Sequence, residues 1–260
     1  MRVMKKILLS VFMVLPFVFT SCSDSDDDKE DNGIKVGKTE YKMNFKDEVQ
    51  IEASSTNSII YQSENEFVAE VSETGLITGG RVGEAEIKLS DGDDTKKVKV
   101  IIEPVSNLFP EPDFIFGETR ESVIKKLGKP DSESDEIISY LNYSKNAAII
   151  MYSFEGKSSS SKLSGIAVVL STSSASVTAV TDFLTERYIM APGNENILAV
   201  GLNGLDEKTI TRSVGLSLFE LDYWMILYMP YSKSSKSALM SGSMQLRNSM
   251  NSSLRSLILK

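Results

Sequence analysis

The 260-residue chain carries 28 Lys and Arg against 36 Asp and Glu, a formal net charge of −8, with no histidine and one cysteine. Without an imidazole there is no Ser-His-Asp triad, no Cys-His pair and no histidine metal ligand; a lone cysteine excludes an intramolecular disulfide and an all-cysteine zinc site. The acidic balance argues against a nucleic-acid partner, whose phosphates call for clustered Lys and Arg.

Arg2, Lys5 and Lys6 precede an apolar run from Ile7 to Phe19, interrupted by Pro16. That run is too short for a membrane span, which needs about 20 apolar residues, and has the length of a secretory h-region. Thr20 and Ser21 are small, and Cys22 follows them. These residues resemble a lipobox of the relaxed kind found in Bacteroidota lipoproteins, with Phe19 where Leu is usual. The resemblance implies a signal peptide over residues 1–21, an acylated Cys22 and a membrane anchor on the outer membrane. Asp24, Asp26, Asp27, Asp28, Glu30 and Asp31 then make residues 22–34 a self-repelling tether. The alternate spacing of Asp24, Asp26 and Asp28 imitates an EF-hand loop, but Lys29 and Lys35 stand where that loop needs Gly and Glu, so no metal site is expected. In Bacteroidota lipoproteins such an acidic run resembles a surface-export signal, which implies exposure at the cell surface; a solvated spacer facing the periplasm is the alternative.

From 35 to 103 the hydrophobic pattern has period two. Glu84-Ala85-Glu86-Ile87-Lys88-Leu89 and Lys97-Val98-Lys99-Val100 alternate polar with apolar, and Asp91-Gly92-Asp93-Asp94 supplies a turn between them. Short strands with frequent turns predict an all-β immunoglobulin-like sandwich. The strings Tyr61-Gln62-Ser63-Glu64-Asn65, Val68-Ala69-Glu70-Val71, Gly75-Leu76-Ile77-Thr78 and Gly83-Glu84-Ala85-Glu86-Ile87 resemble the bacterial immunoglobulin-like domain of group 2, with Tyr61 in the usual tryptophan's place. That family implies a spacer or adhesive unit without a catalytic set.

Residues 104–112, bounded by Pro104, Pro110 and Pro112, read as a short stiff linker. In 113–230 a helix capped by Thr119 is expected, with Val123, Ile124 and Leu127 as its apolar face and Gly128 and Pro130 as its stop. Strands are expected over 137–143, 147–154 and 163–170. A second helix starts at Ser176 with Val177, Val180, Leu184 and Tyr188 on one face, followed by strands over 197–202, 209–219 and 223–229. The pattern predicts an α+β domain of two α-β-β-β repeats, an antiparallel sheet with both helices on one face. Phe116-Gly117-Glu118-Thr119-Arg120-Glu121-Ser122-Val123 with Leu127-Gly128-Lys129-Pro130 resembles the SmpA/OmlA outer-membrane lipoproteins and the similar β-lactamase-inhibitor-protein-like fold, which implies protein binding or envelope assembly.

Catalytic motifs are incomplete. Gly156-Lys157-Ser158 lacks the earlier glycine of a phosphate loop, no G-x-S-x-G elbow exists, and the pairs Asp131/Glu133 and Asp135/Glu136 fall in a loop. Tyr140, Tyr143, Tyr152, Tyr223, Trp224 and Tyr228 are the candidate binding residues, an aromatic platform on a helix-free sheet face or, alternatively, core and cross-strand partners. Residues 231–260 hold five cations and no acid, with Met240, Met244, Leu246, Met250, Leu254 and Leu257 near helical spacing. They read as a basic amphipathic helix against a membrane or partner, or as a packed or partly disordered terminal helix. The expected protein is thus a non-enzymatic surface lipoprotein, without cofactor, that presents its C-terminal domain on a stalk to a protein or glycan. Behind it stand a periplasm-facing assembly or inhibitor lipoprotein and, third, a hydrolase with an unrecognised acid pair.

Overall fold

The computed structural model describes residues 33–113, 115–220, 222–231 and 236–258. The expected signal peptide, Cys22 and nearly all of the acidic tether lie outside the described residues. Among the described residues no helix is long and apolar enough to cross a membrane.

Alternating side chains build the first module. Its strands are β1 (Lys35–Val36), β2 (Glu40–Asn44), β3 (Glu48–Gln50), β4 (Ala53–Ser54), β5 (Ile60–Ser63), β6 (Ala69–Val71), β7 (Leu76–Gly79), β8 (Gly83–Ser90) and β9 (Thr95–Glu103). A four-stranded sheet in the order β2-β9-β8-β5 and a three-stranded sheet in the order β3-β7-β6 share one core, while β1 pairs with β4. In β8 the residues Ala85, Ile87 and Leu89 point inward and Glu84 and Glu86 outward, as a half-buried strand requires. Strand β2 runs parallel to β9 and all other pairs in the two sheets are antiparallel. Gly75, at φ +81°, turns the chain under the ring of Tyr61, where a Cβ would come within 2.8 Å of the ring.

The remainder folds about one eight-stranded antiparallel sheet. Helix α1 (Arg120–Leu127) precedes β10 (Ser132–Glu133), β11 (Ile137–Leu141), β12 (Ala147–Phe154) and β13 (Leu163–Ser171); α2 (Val177–Thr185) precedes β14 (Ile189–Pro192), β15 (Ala199–Leu202), β16 (Arg212–Phe219) and β17 (Tyr223–Pro230); α3 (Lys236–Ile258) closes the chain. The order β10-β11-β12-β13-β17-β16-β15-β14 places the last strand of each set at the centre and the first at the rim. Four strands follow each helix where three were expected, because the short β10 and β14 extend the sheet at its two edges. Thr119 accepts from Ser122 N and Ser176 from Ala179 N, so both helices carry the expected caps. Two expected core positions are instead exposed, Leu127 and Val177, and Phe183 is fully buried in their stead.

Both faces of the sheet are covered. Val123, Val180, Phe183 and Leu184 of α1 and α2 pack on Ile138, Ile150, Tyr152, Val168, Ile226 and Tyr228. On the opposite face α3 lays Leu246, Met250 and Leu254 over Met151, Ala167, Val169, Met225 and Leu227. The 231–260 tail is therefore, in its described part, a packed helix. It approaches the sheet over two glycines: a Cβ on Gly165 would meet Leu246 and one on Gly215 would meet Ser243.

Candidate functional site

The double covering relocates the candidate aromatics. Tyr152 and Tyr228 are 1% and 0% exposed in the core beneath α1 and α2, and Trp224 on the same face donates to Ala175 O at 2.8 Å. Tyr140 donates to Gly128 O and stands edge-on to Tyr152, while Tyr143 donates to Pro110 O. Tyr223 lies on the other face, packed against the cluster under α3. The expected exposed platform is thus corrected. Five of the six aromatics are brought together, but as core and anchors of neighbouring backbone, because helices occupy both faces on which such a platform would stand.

The expected stiff linker is corrected as well: it is bound along its length. Leu108 and Phe109 are buried, and Phe109 packs on Phe183 at 4.4 Å between ring centroids. Asn146 donates from Nδ2 to Leu108 O. Helix α2 ends in Glu186-Arg187-Tyr188, and these three residues tie linker, sheet domain and immunoglobulin-like module together. The Glu186 carboxylate accepts from Val105 N and Ser106 N at 3.0–3.1 Å, and its carbonyl accepts from Val82 N. Arg187 donates to Phe183 O and Ser106 O at 3.0 Å, lies 3.9 Å over the Phe183 ring, and pairs with Glu111 and Glu186 at 3.5 Å. Tyr188 donates from its hydroxyl to Glu111 Oε1 at 2.6 Å, and its carbonyl accepts from Arg81 Nε.

Beside this junction a cleft of about 370 Å³ opens between the two modules. Asn65, Phe67, Val68, Val82, Gly83 and Glu84 wall it on one side; Glu111, Arg187, Tyr188, Asn203 and Arg212 wall it on the other. The volume falls within the about 300–1,000 Å³ usual for small-ligand sites. Burial pushes the Tyr188 phenol far above its ordinary range, and the neighbouring Glu111 carboxylate adds to the shift. Burial raises Tyr228, behind it, in the same way. Burial works against the charge on Arg212, yet Tyr188 and Glu111 outweigh it and hold the guanidinium above its ordinary pKa. The cleft therefore presents the neutral Tyr188 phenol and the Arg212 cation, with Glu84 and Glu111 also in its walls. It offers hydrogen bonding and charge.

Of the four acids considered from the sequence, Asp131, Glu133 and Asp135 have side-chain partners. Glu133 pairs with Arg120, whose guanidinium also donates to Asp135 O and Ser134 O and is 3% exposed; Asp131 accepts from Leu141 N. Lys157 stands 3.7 Å from Asp135 at the surface. Among the described residues no group of three or more metal-ligating side chains forms. Glu186, Arg187 and Arg212 escaped the sequence reading, and Arg120 entered it only within the Phe116–Val123 string. Glu186-Arg187 immediately after an amphipathic helix looks like an ordinary solvated helix end, and nothing local marks it as a junction.

Residues 34–102 match the family described as bacterial Ig-like domain (group 2). No curated protein matches the chain. Among solved structures, domains 5–6 of the S-layer protein SbsC align over 77% of this chain and 85% of that one, at 12% identity and a TM-score of 0.24. The EC1-2 fragment of human protocadherin-24 aligns over 76% and 93%, at 11% identity and a TM-score of 0.25. Both scores lie below the level at which two chains share a fold.

Proposed function

We propose that the protein is a non-enzymatic binding protein of the cell envelope, lipid-anchored through Cys22 at the outer membrane and exposed at the cell surface, that engages a protein or glycan at the seam of its two modules. The cleft lined by both modules is the observation that supports this reading. A bound linker also makes residues 33–260 one compact unit, so the immunoglobulin-like module acts as half of the binding unit and the acidic tether provides the reach. On this reading the C-terminal domain is a duplicated helix-plus-strands unit similar to the SmpA/OmlA lipoproteins. That likeness, carried by the Phe116–Pro130 string, favours a second reading: a periplasm-facing assembly or inhibitor lipoprotein.

Protease shaving of intact cells separates the two. Release of the protein from whole cells is expected, whereas complete protection would overturn surface exposure in favour of the periplasmic reading. A pull-down with the intact unit, both modules present, is expected to capture a ligand that the sheet domain alone does not. Equal capture by the sheet domain alone would remove the seam from the reading.

A further inference from the structure

We infer that the seam cleft is a site for an acidic sugar, with Arg212 as the receptor of its carboxylate. The inference rests on the proposed binding function and names the ligand class of that site. Its ground is the distribution of charge in the cleft. Glu84 is paired with Lys99 at 2.9 Å, Glu111 is engaged by Tyr188 and Arg187, and Arg187 is saturated by two carboxylates and two carbonyls. Arg212 alone among the lining charges takes part in no ion pair with a described residue, although Tyr188 and Glu111 both act on its charge. A half-buried guanidinium carries five donors in a planar fork suited to bidentate carboxylate binding, and most of that capacity is unused here.

Close to Arg212 lies an unpaired hydroxyl. The Tyr228 hydroxyl is fully buried and has no hydrogen-bond partner among the described residues. It lies in the electrostatic field of Glu111, Arg187, Tyr188 and Arg212, with the Arg212 guanidinium 5.8 Å from its ring and the Tyr188 ring 6.4 Å away. A buried hydroxyl without a partner calls for an explanation, and buried polar atoms of Ser213, Ser243, Arg247 and Asn251, away from the cleft lining, are unpaired as well. A sugar suits the rest of the cleft better than a peptide terminus. Asn65 offers an exposed amide to hydroxyls, Phe67 offers an aromatic wall, and the space admits compact rings, while the Asn203 amide is held by Thr211 and Arg212 N.

The test is calorimetric titration of the full chain with three probes: a glucuronate-terminated disaccharide, its methyl ester, and a free tripeptide with uncharged side chains. The acid sugar is expected to bind, and its ester to bind about ten- to hundredfold more weakly, the usual loss when a charged hydrogen bond goes. Arg212→Met is expected to produce the same loss with the acid sugar and none with the ester, and Arg212→Lys to restore part of it. Asn65→Ala, on the opposite wall and exposed, is expected to weaken binding severalfold while leaving the thermal transition unchanged. Equal affinity for acid and ester, an unaltered Arg212→Met variant, or no binding of the acid sugar at millimolar concentration would overturn the inference. Preference for the tripeptide would overturn the sugar in favour of a peptide carboxylate. A pull-down that captures a neutral ligand would leave the binding function standing and remove only this assignment.

Discussion

Glu186→Ala tests whether the two modules act as one unit. The Glu186 side chain is 9% exposed, accepts from two linker amides and pairs with Arg187. A hydrogen bond to a charged group contributes about 1.5–3 kcal/mol, and two such bonds disappear together. Val105 is exposed, so water reaches the freed amides, and Arg187 keeps Glu111 and two carbonyls. The expected cost is therefore about 2–4 kcal/mol, toward the lower end of what breaking a buried ionic network entails. For a unit of this size each kcal/mol lowers Tm by about 2–4 °C, so calorimetry should show a drop of roughly 5–15 °C. The shape of the transition matters as much as its position: the variant should unfold in two steps where the wild type unfolds in one. Glu186→Gln keeps one acceptor and should fall between. A Glu186→Ala protein that melts within 1 °C of wild type (about the error of the method), in a single transition, would refute the clamp.

Phe183→Ala removes the ring that stacks on Phe109 and carries Arg187, and should cost about 3–5 kcal/mol in chemical denaturation. Gly215→Ala puts a Cβ 2.5 Å from Ser243 Oγ, so α3 must lift; a loss of about 1–3 kcal/mol is expected, with faster hydrogen exchange confined to α3 and the strands beneath it. Gly242→Ala, within α3 and with only Met229 near at 3.7 Å, should instead stabilise by up to about 1 kcal/mol, as removal of a helix-interior glycine does. Alkaline titration has a definite sign. The phenols of Tyr188 and Tyr228 have raised pKa values in the fold, so their contribution is complete below the unfolded value of about 10 and is lost as pH rises beyond it. Each such phenol should cost about 1.4 kcal/mol per pH unit above 10, and phenolate absorbance from these two residues should appear only with unfolding. Their ionisation below pH 10 in the folded protein would contradict the burial.

Elements whose stability comes from neighbours in the chain could be read directly. Thr119 and Ser176 cap helices because their hydroxyls reach amides three residues on, and the alternation of Glu84 to Leu89 needs only the pleat of a strand to make one face apolar. The turn at Asp91–Asp94 is held by the side chain of Asp91 itself, which accepts from Asp93 N and Asp94 N. The aromatic residues were legible as strand residues, with platform and core both left open, since alternation assigns a side chain to a face without saying what lies over that face. Leu127 and Val177 went the other way: helical spacing placed them inward, and as the last residue of α1 and the first of α2 they are exposed.

By itself, then, the sequence determined the local elements, their caps and turns, the match of residues 34–102 to an immunoglobulin-like domain, and the absence of imidazole from any site. Only the tertiary structure decided the seam. Arg81 meets Tyr188 across 107 positions and Ser106 meets Glu186 across 80, and such contacts leave no periodic trace in either segment. The covering of the second sheet face was decided there too, for α3 comes close to the sheet over Gly165 of β13 and Gly215 of β16, two strands that the pairing sets on either side of β17. Periodicity reports the environment on each side of a segment; which segments supply that environment depends on how the strands pair, and pairing is a property of the whole fold.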